Sequence, residues 1–416
     1  MQTRLTDLIK DTPEGIEAEA ILRSCVHCGF CLATCPTYQL LGNELDSPRG
    51  RIYLIKQLME GKQVTQKTQL HLDRCLTCRA CETTCPSGVR YGRLLDIGRG
   101  EVERQIERTP YAKLVRYTLR KFLPNRELFS FLLGLARLSR PFLPARLKRT
   151  IPTKPKTKQY PPHGTQLRTM LMLDGCVQPA LMPNTNHATM RVLDKLGISL
   201  VTAKQAGCCG ALAYHLNAQE EGLNAMRRNI DAWWPYITQK NKPVEAIVIT
   251  ASGCGVTVKD YGHLLQHDPV YAEKAAQISD LARDISEVIA AEITNLPPLL
   301  THTKPPKSLH IAFHAPCTLQ HGMRLNGVVE NILRTAGFRL SHVTDPHLCC
   351  GSAGTYSILQ PKLSRQLRDN KLTALTTENP DLLVTANIGC QMHLQGGTQL
   401  PVRHWIEILD EVLSTN

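Results

Sequence analysis

The stretch Cys25-Val26-His27-Cys28-Gly29-Phe30-Cys31-Leu32-Ala33-Thr34-Cys35-Pro36 recurs further along the chain as Cys75-Leu76-Thr77-Cys78-Arg79-Ala80-Cys81-Glu82-Thr83-Thr84-Cys85-Pro86. Both runs read Cys-x2-Cys-x2-Cys-x3-Cys-Pro, and together they account for half of the 16 cysteines. A chain kept in a reducing compartment holds few structural disulfides, so thiols in this number point to metal ligation. Zinc takes four ligands and is satisfied by two Cys-x2-Cys pairs; it does not call for the third cysteine or the Cys-Pro ending.

The run is the bacterial ferredoxin signature. Three thiolates at spacing three wrap one corner of a cubane and reach three irons, and the chain carries the fourth away to the other cluster. Cys25, Cys28, Cys31 and Cys85 are therefore expected to ligate one [4Fe–4S] cluster, and Cys75, Cys78, Cys81 and Cys35 the second. The crossing ties the two motifs together and brings the clusters near each other, as electron relay needs. Gly29 lets the backbone pass close to a cluster. His27, Arg74 and Arg79 flank the ligands and are candidates for tuning potentials, against the plainer reading that they are solvated neighbours.

Between the runs, Ser47-Pro48 is a helix cap followed by a first-turn proline, and Ile52, Ile55, Leu58 and Met59 then share one apolar face. After the second run, Leu95, Val102 and Ile106 lie on one stripe with Glu101 and Glu103 opposite. Strand patterns are absent, so residues 1–105 are expected to form an α-helical two-cluster ferredoxin domain.

Residues 106–166 read as a basic connector. From Arg104 to Arg168 there are 16 Lys/Arg against only Glu107 and Glu127, while the whole chain carries +13. The remainder is thus close to neutral. Leu128, Phe129, Phe131, Leu132, Leu133, Leu135 and Leu138 make an apolar helical run between Arg126 and Pro141, which suits an anionic lipid surface or a partner subunit. Pro152, Pro155, Pro161 and Pro162 among lysines read as an extended linker. Nucleic acid is not expected as a partner, because no nucleic-acid fold signature accompanies the charge and aromatics are only 5%.

Residues 167–300 and 301–416 are two copies of one α/β unit. Each opens with an apolar strand leading to a cysteine, Cys176 or Cys317. Each has Cys-Cys-Gly 32 positions on, at Cys208-Cys209-Gly210 and Cys349-Cys350-Gly351. Each then has a β-rich run ending in Gly-Cys, Val244–Cys254 and Asp381–Cys390, and finishes on a helix, Leu281–Ile289 and Val402–Leu409. The fold class expected for the whole chain is α plus α/β. Adjacent cysteines suit a multinuclear cluster better than one metal ion. The quartets Cys176, Cys208, Cys209, Cys254 and Cys317, Cys349, Cys350, Cys390 leave three outcomes open: further clusters, a redox-active thiol set, or a relic that binds nothing. His393, three positions after Cys390, is either an extra ligand in the second copy or an ordinary histidine at a strand end.

The order of these motifs, with Ser47-Pro48-Arg49-Gly50-Arg51 between the two cysteine runs, resembles the iron–sulfur subunits of bacterial glycolate oxidases (glycolate dehydrogenases) over nearly the whole length. Related architectures occur in iron–sulfur subunits of anaerobic glycerol-3-phosphate dehydrogenase, lactate-utilisation proteins and heterodisulfide reductase. The resemblance implies an electron carrier in a complex whose FAD-binding subunits oxidise glycolate to glyoxylate, with a membrane quinone as acceptor. It implies two [4Fe–4S] clusters here, FAD on the partners only, and no catalytic residue on this chain. In heterodisulfide reductase the repeats end in Cys-x2-Cys; here Thr257 and His393 stand at the second position, which counts against a noncubane cluster. The alternatives are a lactate or glycerol-3-phosphate dehydrogenase subunit, or a cluster-based redox sensor. The residues offer no dinucleotide fingerprint, P-loop or serine elbow. Met1–Ala20 lacks the apolar segment of a secretory signal, and no run of 18 uncharged apolar residues occurs. The expected location is cytoplasmic, peripheral on the inner face of the membrane.

Overall fold

The computed structural model describes residues 1–142, 144, 151–153, 166–239, 243–300 and 309–414. The N-terminal part is helical. Ser47 Oγ accepts from the Gly50 amide at 3.0 Å and opens the helix Pro48–Met59, whose Ile52, Ile55, Leu58 and Met59 are all buried. That helix packs on Pro13–Ser24 and Tyr91–Gln105 around Leu22, Leu72, Leu94 and Leu95. The helical ferredoxin expectation holds for this part.

The connector is less free than its composition suggests. Its described portion forms the helices Pro110–Phe122 and Arg126–Ser139, and its cations reach into other parts of the chain. Arg108 meets Asp73 at 2.6 Å and Glu103 at 2.7 Å, Arg116 meets Asp73 at 3.1 Å, and Arg126 meets Asp174 at 3.0 Å. Pro155, Pro161 and Pro162 lie outside the described residues, as does most of the expected linker.

The rest of the described chain forms two four-stranded parallel sheets. The first contains β1 (Arg168–Leu173), β2 (Ile198–Val201), β3 (Ile247–Ile249) and β4 (Ala282–Asp284), in the order β2-β1-β3-β4. The second contains β5 (His310–His314), β6 (Arg339–Leu340), β7 (Leu382–Thr385) and β8 (Val402–His404), in the order β6-β5-β7-β8. Registers run Leu171 opposite Ile247 and Ile311 opposite Leu382. Identical order in both sheets is the structural form of the duplication.

Two features of the repeats differ from the sequence reading. The runs ending in Gly-Cys are not β-rich to their ends: β3 and β7 stop early, and Cys254 and Cys390 sit in the helices Ser252–Lys259 and Ile388–Gln395. The closing segments are not helical throughout either; Ala282–Asp284 and Val402–His404 are the fourth strands, followed by the helices Ile285–Ala291 and Trp405–Leu413. Three residues are too few to show a period of two, so the strands merged with the helices after them.

The two copies share one core. Met170, Ile198 and Val248 of the first pack in the same cluster as Phe313, Val384 and Trp405 of the second. Helix Pro183–Lys195 of the first copy lies on Trp405–Leu413 of the second, and Val328–Thr335 of the second lies on Ile285–Ala291 of the first. Arg191 clamps Asp410 across the first of these contacts, at 2.7–3.1 Å.

Candidate iron–sulfur sites

The backbone around the N-terminal cysteines is built the same way twice. The residue before the second cysteine and the one after it both take left-handed conformations: His27 at φ 55° and Gly29 at 85°, Thr77 at 52° and Arg79 at 61°. Such alternation turns successive amides inward to form a concave surface that favours anionic charge. Arg79 accepts this conformation without being glycine, so the glycine signal at Gly29 marks only one of two equivalent turns.

Cys25, Cys28, Cys31 and Cys85 line one cleft, with Arg49, Ile52, Tyr91 and Cys81 of the second set also on its wall. Burial, with Cys25 and Cys35 nearby, pushes the Cys31 thiol up to about 11. Cys28 is exposed, and Val26 and Phe30 stand out beside it. The second set is deeper. Burial first, then neighbouring thiols including Cys75 and Cys35, drives Cys78 and Cys81 well above the usual thiol range. Converging thiols, two of which in each set are pushed up by burial, fit a group that brings its own positive charge. The donor set, all soft sulfur in two crossed quartets, suits iron–sulfur clusters.

Asp46, completely buried, sits behind the second set. Its carboxylate accepts from Arg74 at 2.9 Å, pairs with His71 Nδ1 at 3.0 Å and faces Arg51 at 3.5 Å. Arg51, only 1% exposed, donates Nε to the His71 carbonyl at 2.7 Å and both terminal nitrogens to Thr37 Oγ1 at 3.2 Å. Thr37 Oγ1 in turn lies 3.3 Å from Cys35 Sγ. The Arg51 guanidinium is thus a buried cation beside Cys35 and Cys75, whose thiolate charges help hold it protonated. Sequence reasoning quoted Ser47–Arg51 as a motif without giving Arg51 this role. Of the residues it did single out, His27 Nε2 faces Met1 Sδ at 2.8 Å, Arg74 is held by Asp46, and Arg79 pairs with Glu82 at 2.9 Å and Asp260 at 3.3 Å. The two arginines are paired with carboxylates and remain partly exposed.

Both cysteine-rich copies gather their thiols at the C-terminal ends of parallel strands, beside the point where strand order reverses. Cys176 follows β1, Cys208-Cys209 follow β2, and Cys254 follows β3. Cys176 is pushed up by its contact with Cys208 and by burial. In the second copy Cys317 and Cys349 lie 3.9 Å apart, and the Asn387 side-chain amide points at Cys390 Sγ from 3.6 Å. Gly210 and Gly351 hold the Cys-Cys turns at φ 89° and 86°, and a Cβ on either would stand 2.6 Å from a carbonyl oxygen, of Gly222 or Ser364.

His393 is not among the second quartet's neighbours by its Nε2, which meets Ser364 Oγ at 3.1 Å and the Ser364 carbonyl at 3.2 Å. The histidine that does face the thiols is His314, the last residue of β5. One of its ring nitrogens and the sulfurs of Cys350 and Cys390 all lie within 4.8 Å of one another. The signal was available: an imidazole ending the apolar strand Ile311-Ala312-Phe313, three residues before Cys317, where the first copy has Leu173.

The second quartet also abuts the ferredoxin part. Leu76, Cys78, Cys317, Cys349 and Tyr356 belong to one packed cluster, and the Tyr356 hydroxyl donates to the Arg74 carbonyl at 3.2 Å. Thr83 Oγ1 and His321 Nδ1 meet at 2.9 Å across the same boundary.

Comparison with known proteins matches residues 21–89 to a 4Fe-4S dicluster domain, and residues 170–259 and 311–395 to a cysteine-rich domain. The chain is 55% identical over 414 residues to the glycolate oxidase iron-sulfur subunit of Escherichia coli, covering 99% of each. It is 29% identical over 413 residues to the probable glycolate oxidase iron-sulfur subunit of Bacillus subtilis, covering 92% of this chain and 90% of that one. Lactate utilization protein A of Bacillus velezensis is 27% identical over 246 residues, covering 56% of this chain and 96% of that one.

Proposed function

Since the chain belongs to the family of glycolate oxidase iron–sulfur subunits, we propose that it is the electron-carrying subunit of a glycolate oxidase complex. It works between FAD-binding partner subunits, which oxidise glycolate to glyoxylate, and a quinone in the membrane. The lactate and glycerol-3-phosphate alternatives and the sensor alternative are not favoured: the full-length likeness is to glycolate oxidase subunits, and the lactate-utilisation likeness spans little more than half of the chain.

The observation that carries this reading is the pair of crossed cysteine sets. Cys25, Cys28, Cys31 and Cys85 hold one [4Fe–4S] cluster, and Cys75, Cys78, Cys81 and Cys35 the other. When bound, each cluster exchanges electrons one at a time, which matches a two-electron flavin to single-electron carriers. The chain's own residues set the spacing, exclude water and supply charge. Exposed Cys28, rimmed by Val26 and Phe30, favours the first set as the port facing a partner. The burial of Cys75 and Cys81 and the nearby Arg51 cation suit the second set to an inner position. Peripheral attachment to the membrane is supported by the apolar residues that the helix Arg126–Ser139 leaves exposed, Phe131, Leu135 and Leu138 among them. Among the described residues no helix is long and apolar enough to cross a membrane.

Cys28→Ser tests the reading in the assembled complex. Glycolate should still reduce the flavin, while reduction of a quinone analogue falls by at least about 100-fold, the loss produced by roughly 3 kcal/mol on a rate-limiting step. Undiminished quinone reduction would refute it.

A further inference from the structure

The two cysteine-rich copies are built on one plan, yet one position in their cores breaks the repeat. Three residues before the first cysteine of each quartet, the first copy has Leu173 and the second has His314. Both are at the ends of equivalent strands, β1 and β5, and both are 2% exposed. Leucine at a buried strand end is ordinary. Imidazole there is not, because burying a polar ring without a hydrogen-bond partner costs on the order of 1–3 kcal/mol. His314 Nε2 is buried and has no hydrogen-bond partner. The ring faces the thiols: one of its nitrogens forms a compact triangle with the sulfurs of Cys350 and Cys390, and Cys349, the neighbour of Cys350, reaches Cys317 at 3.9 Å.

An unpaired lone pair or N–H beside two buried thiols has few physical explanations. A structural histidine would spend its nitrogens on hydrogen bonds, as His321 does on Thr83 and on the His347 carbonyl at 3.0 Å, and as His393 does on Ser364. Metal coordination satisfies the orphaned nitrogen and the thiols together, and iron–sulfur centres with mixed imidazole and thiolate ligation are known. We propose that Cys317, Cys349, Cys350 and Cys390 hold an iron–sulfur cluster with His314 as a further ligand, a mixed Cys/His centre that the first copy, with Leu173 in that place, cannot form.

This rests on the iron–sulfur reading of the chain. It adds a third centre, whose ligands Cys317 and Cys349 pack against Cys78 of the second ferredoxin set. His314 adds a neutral nitrogen donor to the four thiolates and brings no further negative charge to the centre. Its position beside Cys78 makes this centre the next acceptor after the second set.

The full chain, purified anaerobically, decides it by iron content and by pulsed EPR. Wild type should bind more than the roughly eight irons of two cubanes. Its third centre should show a strongly coupled nitrogen that disappears in His314→Leu and persists in His393→Ala. A third centre without coupled nitrogen, or an unchanged coupling in His314→Leu, overturns the assignment. About eight irons and no third centre also overturns it, while leaving the proposed function standing; a chain without iron defeats both. Should His314→Leu not fold, wild type grown with 15N-histidine answers the same question, since a hyperfine pattern unaltered by the label excludes histidine ligation.

Discussion

Arg51 keeps a full charge where water cannot reach it. Asp46, Thr37 and the His71 carbonyl hold the guanidinium in place, and Cys35 and Cys75 give it something to neutralise. A cation near a cluster stabilises its reduced form. Arg51→Met should therefore lower the midpoint potential of the Cys35, Cys75, Cys78, Cys81 centre by on the order of 100 mV, the effect of one charge several Å away at an effective dielectric of about 20. The Cys25 centre should shift much less. Redox titration followed by EPR measures both, and equal shifts in the two centres would contradict the role. Glycine in the Cys-Cys-Gly turns is a second case of one residue setting a site. Gly351→Ala puts a methyl 2.6 Å from the Ser364 carbonyl oxygen at φ 86°. The left-handed conformation alone costs about 1–2 kcal/mol, and the contact adds to it. A thermal melt of the variant should fall by several degrees; no change would mean the turn relaxes freely.

The helix Arg126–Ser139 illustrates what one element contributes. Asn125 caps it, its side chain accepting from the Leu128 amide at 3.1 Å, and none of its residues is buried. Phe131, Leu135 and Leu138 recur at helical spacing on one exposed stripe, and Arg137 is tied back to the Ala180 carbonyl at 3.2 Å. Among the described residues of this helix Arg126 is paired with Asp174 and Arg137 is held by main-chain carbonyls, so attachment of the helix to lipid should rest on apolar insertion. Leu138→Glu combined with Phe131→Glu should cut sedimentation with anionic vesicles by at least about tenfold, from the loss of two buried apolar side chains at roughly 1.5–3 kcal/mol each. Wild type failing to sediment at all would leave the stripe to a partner subunit. The helices that carry Cys254 and Cys390 make a different point. Ser252-Gly253-Cys254-Gly255 has poor helix propensity, and the β-branched run before it reads on as strand. The parallel α/β unit makes the chain turn into a helix there, and that turn aims the cysteine at the strand ends.

At the scale of the molecule, the two copies are held together by a shared core and by polar contacts across it. His404, the residue that caps Trp405–Leu413, is one of them. Its Nδ1 accepts from the Ile406 amide at 3.2 Å, so Nε2 carries the proton and donates to the Thr250 carbonyl of the other copy at 2.9 Å. Burial holds this imidazole down to about 4. A base whose folded value is depressed takes up its proton more readily in the unfolded chain. Its contribution is therefore intact above the unfolded value near 6.5 and is lost as pH falls from there toward 4, a loss of roughly 3 kcal/mol. Asp284 has the matching cap position in the first copy; burial pushes its carboxyl up to about 6, which acts in the opposite sense. Urea unfolding at pH 7 and pH 5 should show a smaller acid loss in His404→Asn, which keeps a capping side chain, than in wild type. Identical losses would remove His404 from the account.

The cysteine spacing was sufficient by itself for a 4Fe-4S dicluster domain, and the repeated quartets for a duplicated α/β architecture. Both are local or periodic properties, written in consecutive residues and in their recurrence. The helix faces at Ile52–Met59 and Leu95–Val102 were legible for the same reason. Only the tertiary structure decided which histidine meets the second quartet, that Arg51 stands behind Cys35 and Cys75, and that Cys78 packs on Cys317. Those contacts join residues far apart in the chain, through side chains whose direction depends on how sheets and helices close on one another. Sequence separation carries no record of that closure: His393, three residues from Cys390, turns to Ser364, while His314, seventy-six residues before it, faces the thiols.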